Sequence, residues 1–208
     1  MSILKLAIVN CEQVVTVCSN RELFRVGSKQ DQVELFQRDT NSVGCSIVID
    51  CNGTIVAVGQ DDCVQQQLSD KFGENWIQCV PNVIDGKGCS VIPGLIDAHT
   101  HPVWAGDRVD EFDRKLRGAT YMDIHNSGGG IHYTVDRTRN ASEQDLLKDL
   151  VDRVKLMVSC GTTVLECKTG YGLELQTEVK MLKVIEQARS LVPIELVTNF
   201  LGAHSIPK

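Results

Sequence analysis

The chain has 208 residues, with 21 Lys and Arg against 27 Asp and Glu and a formal net charge of −6. A mildly acidic chain without a basic block carries no electrostatic footprint for nucleic acid or an anionic membrane, so a small-molecule partner is expected. No run reaches the roughly 18–20 apolar residues of a membrane span, and the start lacks a basic segment and a cleavage site. The nine cysteines are scattered without a Cys-x-x-Cys pair, which predicts free thiols and a cytoplasmic protein.

Residues 3 to 90 read as short strands separated by turns. Ile3–Val9, Gln13–Cys18, Cys45–Asp50 and Ile55–Gly59 are rich in Val and Ile, and Asn52-Gly53 is a two-residue turn that closes a hairpin. Asn20–Val43 is polar and weakly patterned, either an extended loop or an extra hairpin, and is expected to be a mobile insertion. Asp61–Phe72 reads as a short helix and Val80–Asp85 as a strand leading onward. Residues 1–88 are thus assigned to a small β domain and 89–208 to a second, α/β domain.

Val91-Ile92-Pro93-Gly94-Leu95-Ile96-Asp97-Ala98-His99-Thr100-His101 reads as a buried strand whose end leaves the core. Alternate residues of a strand share a face, so His99 and His101 point the same way. Two imidazoles so placed can hold one transition metal, at about 2.0–2.1 Å for zinc. A lone His-x-His is as often a surface or hydrogen-bonded pair; here the pair sits where an apolar strand becomes a loop, the place where parallel α/β barrels keep their chemistry.

Beyond it, Glu111–Asn126 is expected to be partly helical and to break at Ser127-Gly128-Gly129-Gly130, a run that either passes close to a ligand or is a plain flexible loop. Ser142 starts a helix whose stripe is Leu146, Leu147, Leu150, Val151, Val154, Met157 and Val158, ending at Gly161. Thr162–Glu166 then reads as a strand, Leu175–Ser190 as an amphipathic helix on Leu175, Val179, Leu182 and Ile185, and Ile194–Leu201 as a strand. Strand, helix, strand, helix, strand is a parallel α/β pattern. Each strand ends near polar residues: His99 and His101, Glu166 to Tyr171, and His204.

Pro93-Gly94-Leu95-Ile96-Asp97-Ala98-His99-Thr100-His101 resembles the first-strand signature of the amidohydrolase superfamily, metal-dependent hydrolases on a TIM-type (β/α)8 barrel. His101-Pro102-Val103-Trp104-Ala105-Gly106-Asp107-Arg108, Gly128-Gly129-Gly130-Ile131, Glu166 to Leu173 and Gly202-Ala203-His204-Ser205 resemble, within it, the imidazolonepropionases. The resemblance implies hydrolysis of the ring C–N bond of 4-imidazolone-5-propanoate to N-formimidoyl-glutamate in histidine degradation, with one zinc or iron ion. It implies metal ligands at His99 and His101 and substrate binding by Arg108, Tyr171 and His204. Arg108 suits a carboxylate gripped by two parallel hydrogen bonds. Another amidohydrolase, such as a deaminase or a dihydroorotase-like enzyme, shares the histidine strand but not the Trp104–Arg108 and Lys168–Leu173 segments.

The same resemblance implies a composite β domain completed by later strands, and a further His and Asp ligand and the general base beyond Lys208, so no catalytic base is assigned. Only three or so of eight barrel strands are expected here. An open sheet of that kind exposes edges, which predicts an aggregation-prone chain and leaves an inactive fragment as the competing reading. The superfamily often forms dimers, so a homodimer is an expectation.

Overall fold

Val and Ile alternating with polar residues fold the first part of the chain into two small sheets. The computed structural model describes residues 3–17, 25–41 and 43–207, with the backbone but not the side chain of His125. The protein forms two compact units, Met1–Pro93 and Gly94–Lys208.

In the first unit, β1 (Leu4–Cys11) and β2 (Gln13–Thr16) are followed by β3 (Glu34–Gln37), β4 (Cys45–Asp50), β5 (Ile55–Gln60), α1 (Asp61–Phe72), β6 (Asn82–Asp85) and β7 (Ser90–Val91). One sheet runs β5-β4-β1-β6 and the other β3-β2-β7. The hairpin at Asn52-Gly53 joins antiparallel β4 and β5, with Gly53 donating to the Asp50 carbonyl at 3.1 Å. Register shifts interrupt the β1–β4 ladder between Leu4 and Leu6 and between Ile8 and Cys11. An extra residue at each bulge resets the pleat, so the fully buried positions of β1 are Leu4, Ala7 and Cys11 rather than strict alternates. Val64 and Leu68 of α1 close over Leu4, Ala7, Val48 and Ala57 with Trp76 and Val80.

Two expectations are corrected here. The described part of Asn20–Val43 is not a structureless insertion, because β3 pairs antiparallel with β2, setting Phe36 opposite Val14 and against the Cys11, Cys45 and Ile47 cluster. Residues 20–24 and Ser42, and Cys18 at the end of the expected second strand, lie outside the described residues. The strand at 82–85 pairs with β1 and β7 with β2, so the division falls after Pro93 rather than after residue 88.

The second unit contains β8 (Leu95–Thr100), α2 (Val109–Leu116), α3 (Tyr121–Asn126), α4 (Ile131–Asn140), α5 (Glu143–Ser159), β9 (Thr162–Lys168), α6 (Leu175–Ala188) and β10 (Glu195–Asn199). The sheet order is β10-β9-β8, all parallel. Ser142 caps α5 by accepting from the Asp145 amide at 3.0 Å, satisfying one of the free donors of the first turn. Leu146, Leu150, Val151 and Val154 of α5 and Met181, Val184, Ile185 and Ala188 of α6 bury against Leu165, Cys167 and Leu196 of the sheet. Each Leu, Val, Ile or Met among them contributes about 1.5–3 kcal/mol on burial. Lys180 of α6 donates to the Thr138, Arg139 and Ala141 carbonyls at 3.0, 2.9 and 2.7 Å, closing the C-terminus of α4.

The histidine strand departs from the reading of a fully buried element. Leu95 is 51% and Ile96 68% exposed, because among the described residues β8 has a hydrogen-bonded neighbour only at β9 and the helices cover the face of Leu165, Cys167 and Leu196. Leu175 and Val179 are likewise exposed; α6 is rotated so that Thr177 and Glu178 turn inward, for a reason given below. Cys160, at the end of α5, is exposed. The helix α4, directly after the glycine run, has no strong apolar stripe and was not anticipated.

Candidate active site

The ends of the three parallel strands are stitched together by side chain to backbone hydrogen bonds. Between Asp97 and Thr100 the β8–β9 register slips, a bulge that re-aims the side chains beside it. Thr100 donates its hydroxyl to the Glu166 carbonyl at 2.5 Å. The Thr169 amide donates to the Asn199 carbonyl, and its hydroxyl oxygen accepts from the Leu201 amide, both at 3.0 Å. Asn199 and Lys168 both donate to one Glu166 oxygen, at 2.8 and 2.5 Å. These bonds, with the Asn199 contact foremost, hold the Glu166 carboxyl below its ordinary range. Cys167 between them is inert: burial pushes its thiol up to about 12.

Four rings gather at this end. His101 stacks on His204 with centroids 4.3 Å apart and 17° between planes, and Tyr171 stands 5.5 Å from His101 and 5.4 Å from His204. His99 is 6.0 Å from His101, edge-on. His101 Nδ1 lies 3.0 Å from the Thr169 carbonyl oxygen, and His204 Nδ1 3.2 Å from that of Gly170. A carbonyl only accepts, so the proton of each neutral ring is assigned to Nδ1, leaving the Nε2 lone pair outward. Burial first, and then His204 beside it, keep the His101 imidazole below its ordinary range, in the neutral form that ligates metals. Burial raises the Tyr171 phenol, so it stays a donor.

Arg108 and Tyr171 line one cavity of about 320 Å³ with Trp104, Gly106, Asp107 and Thr134. The loop carrying Trp104 is pinned by Arg153 of α5, whose guanidinium lies 3.6 Å over the Trp104 ring and donates to the Pro102 carbonyl at 2.9 Å. Arg108 itself is already engaged. Its Nε and Nη2 lie 2.7 and 2.5 Å from Oε2 of Glu111, whose Oε1 accepts from the Gly130 amide at 2.9 Å.

Glu178 organises the loop that bears Tyr171. Its carboxylate is 2% exposed and accepts from the amides of Gly170, Gly172 and Leu173 at 3.1, 2.8 and 2.9 Å. A charge facing into a helix's first turns is favourable there, which explains why α6 turns this face inward. Gly170 has φ +115°, and a Cβ on it would stand 2.8 and 2.9 Å from Cβ and Nδ1 of His204. Gly170→Ala is therefore expected to cost about 1–2 kcal/mol and to displace His204, read as a lower urea midpoint and shifted His204 ring resonances; unchanged resonances would contradict it.

No protein-family model matches the chain. A Bos taurus protein named probable imidazolonepropionase is 47% identical over 204 residues, 98% of this chain and 45% of that protein. Those of Homo sapiens (46% over 203 residues, 98% and 45%) and Danio rerio (47% over 205 residues, 98% and 44%) agree. This chain is related to the imidazolonepropionases. It spans under half the length of the relatives it matches. A crystal structure of a triazine hydrolase variant superposes on 94% of this chain and 35% of its own, with TM-score 0.62 and 18% identity, a likeness of fold alone.

For an imidazolonepropionase relative, the described residues offer a partial metal set. Among them no group of three or more His, Cys, Asp or Glu could hold an ion. The Nδ1 bond of His101 to a carbonyl orients its ring and leaves Nε2 free. Sequence reasoning missed Glu111 and Glu178, buried acids with no motif of their own. The signal was their position, in the first turns of helices directly after loops rich in site residues. Among the described residues no helix is long and apolar enough to cross a membrane.

Proposed function

We propose that the second unit is the first part of a TIM-type hydrolase barrel and that its strand ends hold part of a site for metal-dependent hydrolysis of 4-imidazolone-5-propanoate to N-formimidoyl-glutamate. The observation that carries this reading is the convergence of His101, Tyr171 and His204 from three separate strand ends, with Arg108 sharing the cavity of Tyr171. His99 and His101 would hold one zinc or iron ion. When bound, such an ion would supply Lewis acidity for activating a water and the ring carbonyl.

The chain's own residues do the rest of the positioning. Arg108 holds the propanoate carboxylate, Tyr171 donates its hydroxyl to the substrate, and His204 accepts from a ring N–H through Nε2. Carbonyl polarisation by His204 would need the imidazolium, because the Gly170 carbonyl takes the Nδ1 proton. Two nitrogens alone bind metal weakly, so affinity depends on what completes the set.

The test is ring opening of 4-imidazolone-5-propanoate, followed by loss of ultraviolet absorbance, with metal content measured on the same sample. Turnover with about one metal per chain, abolished by His101→Ala, would assign the reaction to this chain. No turnover and no metal in this chain, with both in a longer protein containing it, would place the chemistry in that protein. Preference for dihydroorotate or a nucleobase would favour another amidohydrolase.

A further inference from the structure

The loop that carries Arg108 into the cavity it shares with Tyr171 and the glycine run before α4 are tied together by a single side chain outside every motif. Glu111 sits in the first turn of α2, 9% exposed, with one carboxylate oxygen on Arg108 and the other on the Gly130 amide. A guanidinium has two edges that can each pair a carboxylate: the side edge of Nε and Nη2, and the end edge of Nη1 and Nη2. Glu111 occupies the side edge. Among the described residues the Nη1 nitrogen has no hydrogen bond.

We propose that Glu111 is a positioning residue for ligand recognition: by filling the side edge of Arg108 and anchoring on Gly130, it aims the end edge of the guanidinium at the carboxylate of the bound ligand. This rests on the reading of Arg108 as the carboxylate ligand. An arginine in an open loop is otherwise held only by water, and an unheld arginine side chain loses rotamer entropy on binding. Held by Glu111, that ordering is complete before the ligand arrives. The Gly130 bond adds a second consequence: Gly130, with φ +80°, caps the start of α4, so the glycine run and the arginine are set by one carboxylate. Its charge persists at neutral pH, since burial pushes the carboxyl up but the bonds to Arg108 and Gly130 outweigh it.

Glu111→Gln tests this, because the amide oxygen can still accept from Gly130 while its NH2 replaces the acceptor of Arg108. The probes are 3-(imidazol-4-yl)propanoate and its uncharged amide, titrated calorimetrically into the full 208-residue chain. Wild type is expected to prefer the carboxylate by tenfold or more. Glu111→Gln is expected to lose most of that preference while binding the amide as wild type does, which also shows that the variant is folded. The Nε–H resonance of Arg108, assigned by its absence in Arg108→Met, is expected to be protected from solvent exchange in wild type and unprotected in Glu111→Gln. If Glu111→Gln keeps the full preference while Arg108→Met loses it, Glu111 is only a strut for Gly130 and the inference fails alone. A larger preference in Glu111→Gln would mean that Glu111 competes with the ligand, which also overturns it. If wild type has no preference, the carboxylate role of Arg108 falls and the inference with it.

Discussion

Glu178→Ala is expected to remove about 3 kcal/mol from the unfolding free energy of the second unit, among the larger losses for one side chain. The carboxylate accepts from three backbone amides, and each donor left buried without a partner costs about 1–3 kcal/mol. The costs do not add fully, because the loop can open and admit water to one or two of them. Glu178→Gln is milder: Oε1 can still serve Gly172 and Leu173, but the new NH2 confronts the Gly170 amide. The order Ala worse than Gln worse than wild type in urea midpoint, with loss of the His204–Tyr171 contact in both, checks the argument. Equal midpoints for Ala and wild type would show that the loop holds itself.

A second large effect is expected in solution mass. Ile96 is 68%, Phe200 61%, Leu95 51% and Val197 46% exposed, and all lie on or beside the two outer strands of the parallel sheet. Apolar area of this kind is worth about 25 cal/mol per Å² when covered, and unpaired strand edges recruit other chains. The chain is therefore expected to run above monomer mass in light scattering at micromolar concentration, increasingly so as concentration rises. Ile96→Thr with Val197→Thr should shift it back towards monomer. A monodisperse monomer that melts in one cooperative step would refute this.

The elements most legible from sequence were those whose own residues decide them. The stripe from Leu146 to Val158, the Ser142 cap and the Gly161 stop belong to one contiguous segment, and α5 runs from Glu143 to Ser159. The Asn52-Gly53 turn likewise specifies its hairpin locally. What escaped depends on distant partners. Nothing between Leu95 and Thr100 says whether a second strand or a helix will lie over it; burial there is a property of the neighbours. The inward turn of Glu178 answers to three amides in a loop five to eight residues away, and an acidic residue in an amphipathic pattern is ordinarily assigned to the wet face. The segment containing β3 looked polar because its few apolar residues follow no sustained period, yet one aromatic ring on a small cluster was enough to seat it.

One feature of β8 reaches beyond packing. Among the described residues it hydrogen-bonds to a neighbour along one side only, carries His99 and leads directly into His101, and shields little of its own apolar surface. Such a strand frays at lower free energy than β9, which has ladders on both sides, so its amides should exchange with deuterium well before those of β9. An ion that gripped His99 and His101 together with any group rooted elsewhere would tether the strand as it bound. Ligation and the docking of this strand would then be a single equilibrium, and occupancy would be legible as slowed amide exchange in Leu95–Thr100.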